Sequence, residues 1–323
     1  MQTRRTLLTA LGATLIAASH PVTAQAGKRR LAYLGGSSPA SAGSFVGQFT
    51  TGLQHLGWIE GSNLIFDIRW AQSDPARYAP LTSELLALQP DVFVATTDSM
   101  LGPAMAATKT VPIVFILGGN PVVRGVVKSL GKPGGNVTGF STLEAELYPK
   151  RLQLLKEAVP GLNKVGVFVN SQNSVRLDSL DEARRILGLE LVPASIERPE
   201  DIEVAFEQFT KAGVKGVFDM ITGFITFAAR ERVAALAIKH RMALCGIPAT
   251  ADSGVLLSYG HDVPALFKRA ATLVDRILKG AKPADIPVEQ VNVYELVVNL
   301  RTANALGIKL PYSLMLQATR VIE

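Results

Sequence analysis

The chain contains little of what metal-based or covalent chemistry requires. Its 323 residues include one cysteine, Cys245, and four histidines, so an intramolecular disulfide is excluded. His55, His240 and His261 are far apart and lack the close pairing of a zinc site, while His20 lies in the first segment. Cys245 sits in an apolar run, where a small buried hydrophobe is the default interpretation. The sequence therefore predicts no metal ion and no other cofactor.

Motifs for catalysis are also missing. Residues 139–143 (GFSTL) lack the second glycine of a nucleophile elbow, and no glycine-rich loop ends in Gly-Lys-Ser or Gly-Lys-Thr. Ser258, His261 and Asp262 are close in sequence, but the members of a catalytic triad are assembled in space and are seldom neighbours. The end of a strand and the start of a helix explain these three residues, and we predict that the protein is not an enzyme.

Long apolar runs are absent after the first segment. Arg4 and Arg5 precede an apolar run at 7–18, which is shorter than the roughly 20 residues of a membrane-spanning helix. Ala24 and Ala26 then supply the small residues of a cleavage site. We predict that residues 1–26 are a signal peptide, cleaved near Ala26, and that the mature protein is periplasmic. The paired arginines are compatible with either the general secretory or the twin-arginine route.

The excess of basic residues does not indicate nucleic-acid binding. The formal net charge is +6, but lysines and arginines are interleaved with acids along predicted helices, as in residues 181–185 (DEARR). Such a pattern is typical of solvated helix faces. We therefore expect no nucleic-acid partner.

Short β-rich apolar runs alternate with longer helical patterns, which predicts parallel sheets with helical crossovers. Apolar stripes at 45–56 and 266–277 can each cover the face of a sheet. The strand–helix pattern restarts after Thr142, so we predict an α/β protein with two similar Rossmann-like lobes. The predicted strands are 31–35, 64–70, 91–95, 113–117, 137–140, 165–169, 189–194, 216–219, 243–247 and 255–259.

Four separated runs carry a resemblance to a known family. They are residues 52–64 (GLQHLGWIEGSNL), 132–140 (KPGGNVTGF), 277–288 (ILKGAKPADIPV) and 296–307 (LVVNLRTANALG). The sequence resembles the ABC transporter substrate-binding proteins that include tryptophan- and tyrosine-type amino acid binders. The resemblance covers essentially the whole mature chain.

This resemblance implies a type I periplasmic binding protein, in which three crossing segments join two lobes around the ligand. It implies crossings near 142–143, 252–253 and 282–287. One lobe would then comprise 27–143 and 252–281, and the other 144–251 and 282–323. The implied role is capture of a small solute for an ABC permease, by a monomer. An exported protein that signals to a membrane receptor is the alternative.

Ligands of open α/β sheets bind beyond the carboxyl ends of the strands, and polar residues follow several predicted strands. Hydroxyl groups and amides at helix starts bind carboxylates well, so Ser37, Ser38, Thr96 and Thr97 are candidates to hold one. The alternative is that these residues are ordinary helix caps and turn residues.

Acidic and amide side chains complete the predicted site. An ammonium group needs acceptors, so Asp219 is the preferred partner of a ligand amine and Asp98 the second choice. Asn120, Asn170 and Met220 also follow strands. Where relatives commonly have Asp-Pro and Asn-Pro, this chain has Asn-Pro at 120–121 and Asn-Ser at 170–171. A carboxylate ligand without an amine therefore stays open beside an amino acid.

Overall fold

The computed structural model describes residues 27–170, 180–219 and 224–323. The predicted signal peptide and the predicted site residue Met220 lie outside the described residues. Within these ranges the chain forms two sheets of mostly parallel strands, each covered by helices. This architecture confirms the predicted α/β fold with two lobes.

The first sheet is six-stranded, with the order β11-β5-β4-β3-β1-β2 and all neighbours parallel. Near-continuous burial of β3 and β5 fits a parallel sheet with both faces covered. Its strands are β1 (Arg29–Gly35), β2 (Leu64–Trp70), β3 (Val92–Thr97), β4 (Ile113–Gly118), β5 (Val137–Ser141) and β11 (Glu289–Gln290).

The second sheet is seven-stranded, with the order β13-β12-β10-β9-β8-β6-β7. Only the pairing of β10 with β12 is antiparallel. Its strands are β6 (Lys164–Val169), β7 (Glu190–Ser195), β8 (Gly216–Asp219), β9 (Ala243–Gly246), β10 (Leu257–Gly260), β12 (Glu295–Asn299) and β13 (Arg320–Ile322). The strands predicted from sequence are all present, whereas β11, β12 and β13 were not predicted.

The described helices cover the faces of these sheets, and none is long and apolar enough to span a membrane. They are α1 (Pro39–His55), α2 (Tyr78–Ala87), α3 (Asp98–Ala107), α4 (Tyr148–Ala158), α5 (Asp181–Leu187), α6 (Asp201–Lys211), α7 (Phe224–Ala228), α8 (Arg230–Lys239), α9 (Val263–Leu278), α10 (Leu300–Leu306) and α11 (Tyr312–Gln317).

The two predicted apolar stripes meet on one face of the first sheet. Phe49 and Leu53 of α1 pack with Leu266 and Val274 of α9 in one buried cluster. The helices approach closely at Gly52, where a Cβ atom would lie 2.5 Å from the carbonyl oxygen of Lys268. Gly52 therefore allows α1 and α9 to pack backbone against backbone.

The chain crosses between the lobes three times, but the second and third crossings differ from the prediction. The first crossing follows β5 at Thr142, as expected. The second lies after Gly260, because β10 pairs with β9 and β12 in the second sheet. The third follows β11, which pairs with β5 in the first sheet. Residues 252–260 thus belong to the second lobe and 282–290 to the first.

The positions of the second and third crossings could not be predicted from local sequence, because the lobe to which a strand belongs depends on the strands with which it pairs. Strand β10 has the same apolar character as any strand of the first sheet. The proline-rich segment before β11 was interpreted as a crossing, yet Thr138 Oγ1 donates to the Ile286 carbonyl at 2.9 Å and Ile286 is buried in the first lobe. The described segments of the lobes are accordingly 27–141 with 263–290, and 144–170, 180–219 and 224–260 with 295–323.

Candidate ligand-binding cleft

A cleft of about 750 Å³, including space open to solvent, lies between the lobes where strands of both sheets end. Strands β1 and β3 reach it from the first lobe and β8 from the second, which is the position expected for ligands of open α/β sheets. Its lining residues are Tyr33, Gly35, Gly36, Ala42, Phe45, Trp70, Thr96, Thr97, Leu117, Asp219, Thr226, Phe227, Ile247, Ala249, Thr250, Val263 and Phe267.

Aromatic side chains form much of the wall. Tyr33, Trp70, Phe45 and Phe267 come from the first lobe, and Phe227 comes from the second. The Phe45 ring stacks on Phe267 at a centroid distance of 5.1 Å and on Phe227 at 5.5 Å. Because Phe45 and Phe227 belong to different lobes, this stack closes one side of the cleft.

Gly35 positions the largest of these rings. A Cβ atom at Gly35 would lie 2.5 Å from a ring carbon of Trp70, so the missing side chain lets the indole pack closely against β1. Tyr33 flanks the indole at a centroid distance of 6.3 Å. Burial raises the pKa of the Tyr33 hydroxyl well above its ordinary value, which keeps this ring neutral. The floor of the first lobe is therefore apolar and uncharged.

Polar groups in the cleft are few. Thr96 donates its hydroxyl hydrogen to the Leu34 carbonyl at 3.1 Å, and Thr250 donates to the Ile247 carbonyl at 2.8 Å. Thr97 occupies the N-cap position of α3, but its hydroxyl does not cap the helix and lies 3.0 Å from Ser99 Oγ. Asp219, half-buried at the end of β8, is the one carboxylate among the lining residues that the structure describes.

Three predicted site residues, Thr96, Thr97 and Asp219, thus come together in the cleft. Ser37 and Ser38 do not line it. The Ser38 side chain caps α1 by accepting from the Ser41 amide, and Ser37 Oγ lies 2.5 Å from Ser41 Oγ. These contacts match the alternative that the two serines are helix-capping residues.

The other predicted residues make contacts outside the cleft wall. Asp98 accepts from the Gly119 amide at 2.8 Å and pairs with Arg124 at 2.5 Å. Asn120 Oδ1 accepts from the amides of the next turn, both at 3.2 Å. Asn170, half-buried, follows β6 without lining the cleft. Contact of these residues with a ligand stays a prediction.

Cys245 lies in the core behind Asp219. Its side chain is fully buried, and burial raises the pKa of its thiol to about 12; Arg151 opposes that rise and Asp219 adds to it. A thiol in this state is not nucleophilic at neutral pH. The interpretation of Cys245 as a small core residue is confirmed.

Two lobes with parallel sheets, three crossings and a cleft at the strand ends define a type I periplasmic binding protein. The sequence profile of the ABC transporter substrate binding protein family matches residues 38–322. The chain belongs to this family, whose members bind solutes and are not enzymes.

Individual relatives agree with this assignment. A tyrosine-binding protein of Clostridioides difficile is 28% identical over 265 residues, which is 81% of this chain and 76% of the relative. A conserved domain protein of Vibrio cholerae superposes with a TM-score of 0.82 at 27% identity, over 91% of this chain and 99% of that one. A Streptococcus pneumonia ABC domain in complex with L-Trp gives 0.81 at 23% identity, over 92% and 100%.

Proposed function

We propose that this substrate-binding protein captures an aromatic amino acid between its lobes and delivers it to an ABC permease. The observation that carries the proposal is a cleft lined by aromatic rings from both lobes and by one carboxylate among the described residues. Aromatic rings bury an aromatic side chain favourably, and a carboxylate partners an ammonium group that leaves water. The names of a tyrosine-binding relative and an L-Trp-bound structural neighbour support the same class of ligand.

The polar groups suggest how the ligand is oriented. Asp219 would accept hydrogen bonds from the ligand ammonium. Thr97 and the amides at the start of α3 would hold its carboxylate, because the unpaired donors and the helix dipole favour an anion there. The ligand ring would then lie between Trp70 and Phe227. Each lobe contributes contacts, so the ligand favours the closed arrangement.

Location and partner form part of the proposal. Residues 1–26 would act as a signal peptide, exported by the general secretory or twin-arginine route, and the mature monomer would work in the periplasm. Membership in the ABC transporter family supports a permease as its membrane partner. Recovery of a chain that begins near Gly27 from the periplasmic fraction would test this part.

Isothermal titration calorimetry with a matched panel tests the ligand class. L-Tryptophan, L-tyrosine and L-phenylalanine should bind, L-leucine should bind at least about ten-fold more weakly, which corresponds to ~1.4 kcal/mol, and indole-3-propionate, which lacks the amine, should bind least. Tight binding of indole-3-propionate would contradict the role of Asp219. Tight binding of L-leucine alone would contradict the role of the aromatic wall.

A further inference from the structure

One buried histidine touches all three segments that cross between the lobes. His261 lies on the second crossing, between β10 and α9, and is 3% exposed. Its Nε2 atom is 2.6 Å from the Thr142 carbonyl oxygen on the first crossing. Its Nδ1 atom is 3.4 Å from the Val293 carbonyl oxygen on the third. The imidazole therefore joins the crossings to one another.

A neutral imidazole and a protonated imidazole differ in the number of hydrogen bonds that they can donate to these two carbonyl oxygens. Carbonyl oxygens only accept hydrogen bonds, and a neutral imidazole carries one N–H, whereas an imidazolium carries two. A neutral ring donating to Thr142 would turn the lone pair of Nδ1 toward the Val293 oxygen. Only the protonated ring donates to both carbonyls.

Ionisable groups of both signs lie on the same segments. Tyr294 packs its ring 4.9 Å from the His261 ring. Asp262 caps α9 by accepting from the Ala265 amide, and the pKa of Glu295 is raised by burial and by Asp262. On the side of the second lobe, Arg151 pairs with Glu144 at 2.5 Å.

We propose that His261 is a proton-dependent positioning residue of the hinge. The protonated ring ties the first and third crossings to the second, and this tie stabilises the arrangement in which Phe45 and Phe227 stack across the cleft. Loss of the proton releases the contact with the Val293 carbonyl. The proposal concerns the hinge and does not depend on which ligand the cleft binds.

The direction of the pH dependence follows from which of the two hinge arrangements binds the proton of His261 more tightly. The tied arrangement holds the proton more tightly than an arrangement in which Val293 is released, so it gains population as pH falls and loses population as pH rises.

Distance measurements between the lobes test the proposal without ligand. Spin labels on Val123→Cys in the first lobe and Val204→Cys in the second occupy exposed positions, while Cys245 is buried. Between about pH 5 and pH 8, the distance distribution should shift from one population toward a second. His261→Gln should remove this shift, and His55→Gln and His240→Gln should retain it. An unchanged shift in His261→Gln, or no shift in the parent protein, would overturn the proposal.

A second measurement covers the case in which His261→Gln does not fold. Replacing His20, His55 and His240 by glutamine leaves His261 as the only histidine, so its ring resonances can be followed by NMR without changing the hinge. The proposal expects the NMR titration midpoint of His261 to coincide with the midpoint of the distance change. It is contradicted if the distance changes over a pH range in which the His261 ring does not titrate.

Discussion

The two lobes share a layered architecture but contribute different chemistry to the cleft. The first lobe supplies an apolar floor in which Tyr33, Phe45 and Trp70 continue outward from its buried core. Among the described lining residues, the second lobe supplies the carboxylate of Asp219 and the ring of Phe227. In the proposed complex, the first lobe therefore provides most of the apolar wall and holds the ligand carboxylate, while the second lobe provides the acceptor for the ligand amine.

The second lobe also carries a charged side chain in its buried interior. The largest fully buried side chain of the described residues is Arg151 in the second lobe. Its Nε donates to the Tyr259 carbonyl at 2.5 Å, and Nη1 pairs with Glu144. Burial lowers the pKa of Arg151, but the charge of Glu144 and its hydrogen bond, together with the nearby Cys245 and Tyr148, outweigh that effect and the net pKa is raised. A buried ion pair thus lies in the second lobe beside the hinge.

Breaking that ion pair should give the largest effect. Arg151→Met leaves Glu144 without its partner, and loss of one member of a buried pair costs ~3–5 kcal/mol of stability. The expected result is a large fall in the free energy of unfolding, measured by chemical denaturation. The control is Arg232→Met, whose exposed pair with Glu203 is worth at most ~1 kcal/mol. Equal losses in the two variants would contradict the buried role of Arg151.

The second-largest effect is expected from removing the carboxylate charge of Asp219 in the second lobe. Asp219→Asn should weaken L-tryptophan binding by ~2–5 kcal/mol, or roughly thirty-fold or more, because a desolvated ammonium loses its charged partner. Calorimetry gives the affinity, and circular dichroism checks the fold. Asp98→Asn is the matched control, since Asp98 pairs with Arg124 outside the cleft wall. A larger loss in Asp98→Asn would reverse the assignment of the amine site.

A smaller effect is expected from changing the contact between Gly35 and Trp70 in the cleft wall of the first lobe. Gly35→Ala places a methyl group against Trp70, and such overpacking typically costs ~1–3 kcal/mol. We expect a lower melting temperature and a changed tryptophan emission spectrum. In Gly47→Ala, no atom lies within 4 Å of the new methyl group, so this helix variant should keep the parent spectrum. An unchanged melting temperature in Gly35→Ala would mean that the Trp70 indole does not pack against β1.

The aromatic stack between the lobes should give the smallest of these effects. Phe227→Ala removes a ring contact worth ~0.5–1.5 kcal/mol beyond its buried area, so L-tryptophan should dissociate several-fold to about ten-fold faster. Stopped-flow fluorescence measures the rate. Tyr312→Ala, at a ring that is 76% exposed, should leave dissociation unchanged. If Phe227→Ala slowed dissociation, the stack would hold the cleft open rather than closed.

The strands and three cleft-lining residues could be predicted from the sequence because both depend on local pattern. Thr96, Thr97 and Asp219 lie at the ends of buried runs, and the carboxyl ends of parallel strands must face the cleft. The aromatic wall was missed because Phe45 falls on the same apolar stripe as the core residue Phe49. Periodicity cannot separate a ring that faces the cleft from one that faces the sheet. Trp70 likewise looked like an ordinary strand residue.

Other features could not be predicted from the sequence because they depend on contacts between residues that are far apart in the chain. Strand β11 is two residues long and becomes a strand only by pairing with β5. The hinge contacts of His261 join residues separated by 119 and 32 positions, and its neighbours in sequence suggested only the end of a strand and the start of a helix. Long-range pairing, rather than local propensity, sets these positions.

A crystal structure of the complex with L-tryptophan tests the central claim most directly. The account predicts the indole between Trp70 of the first lobe and Phe227 of the second, with the ammonium within hydrogen-bonding distance of Asp219 and the carboxylate at Thr97. An ammonium group directed away from Asp219, or an indole held outside the aromatic wall, would contradict the proposed division of ligand contacts between the lobes.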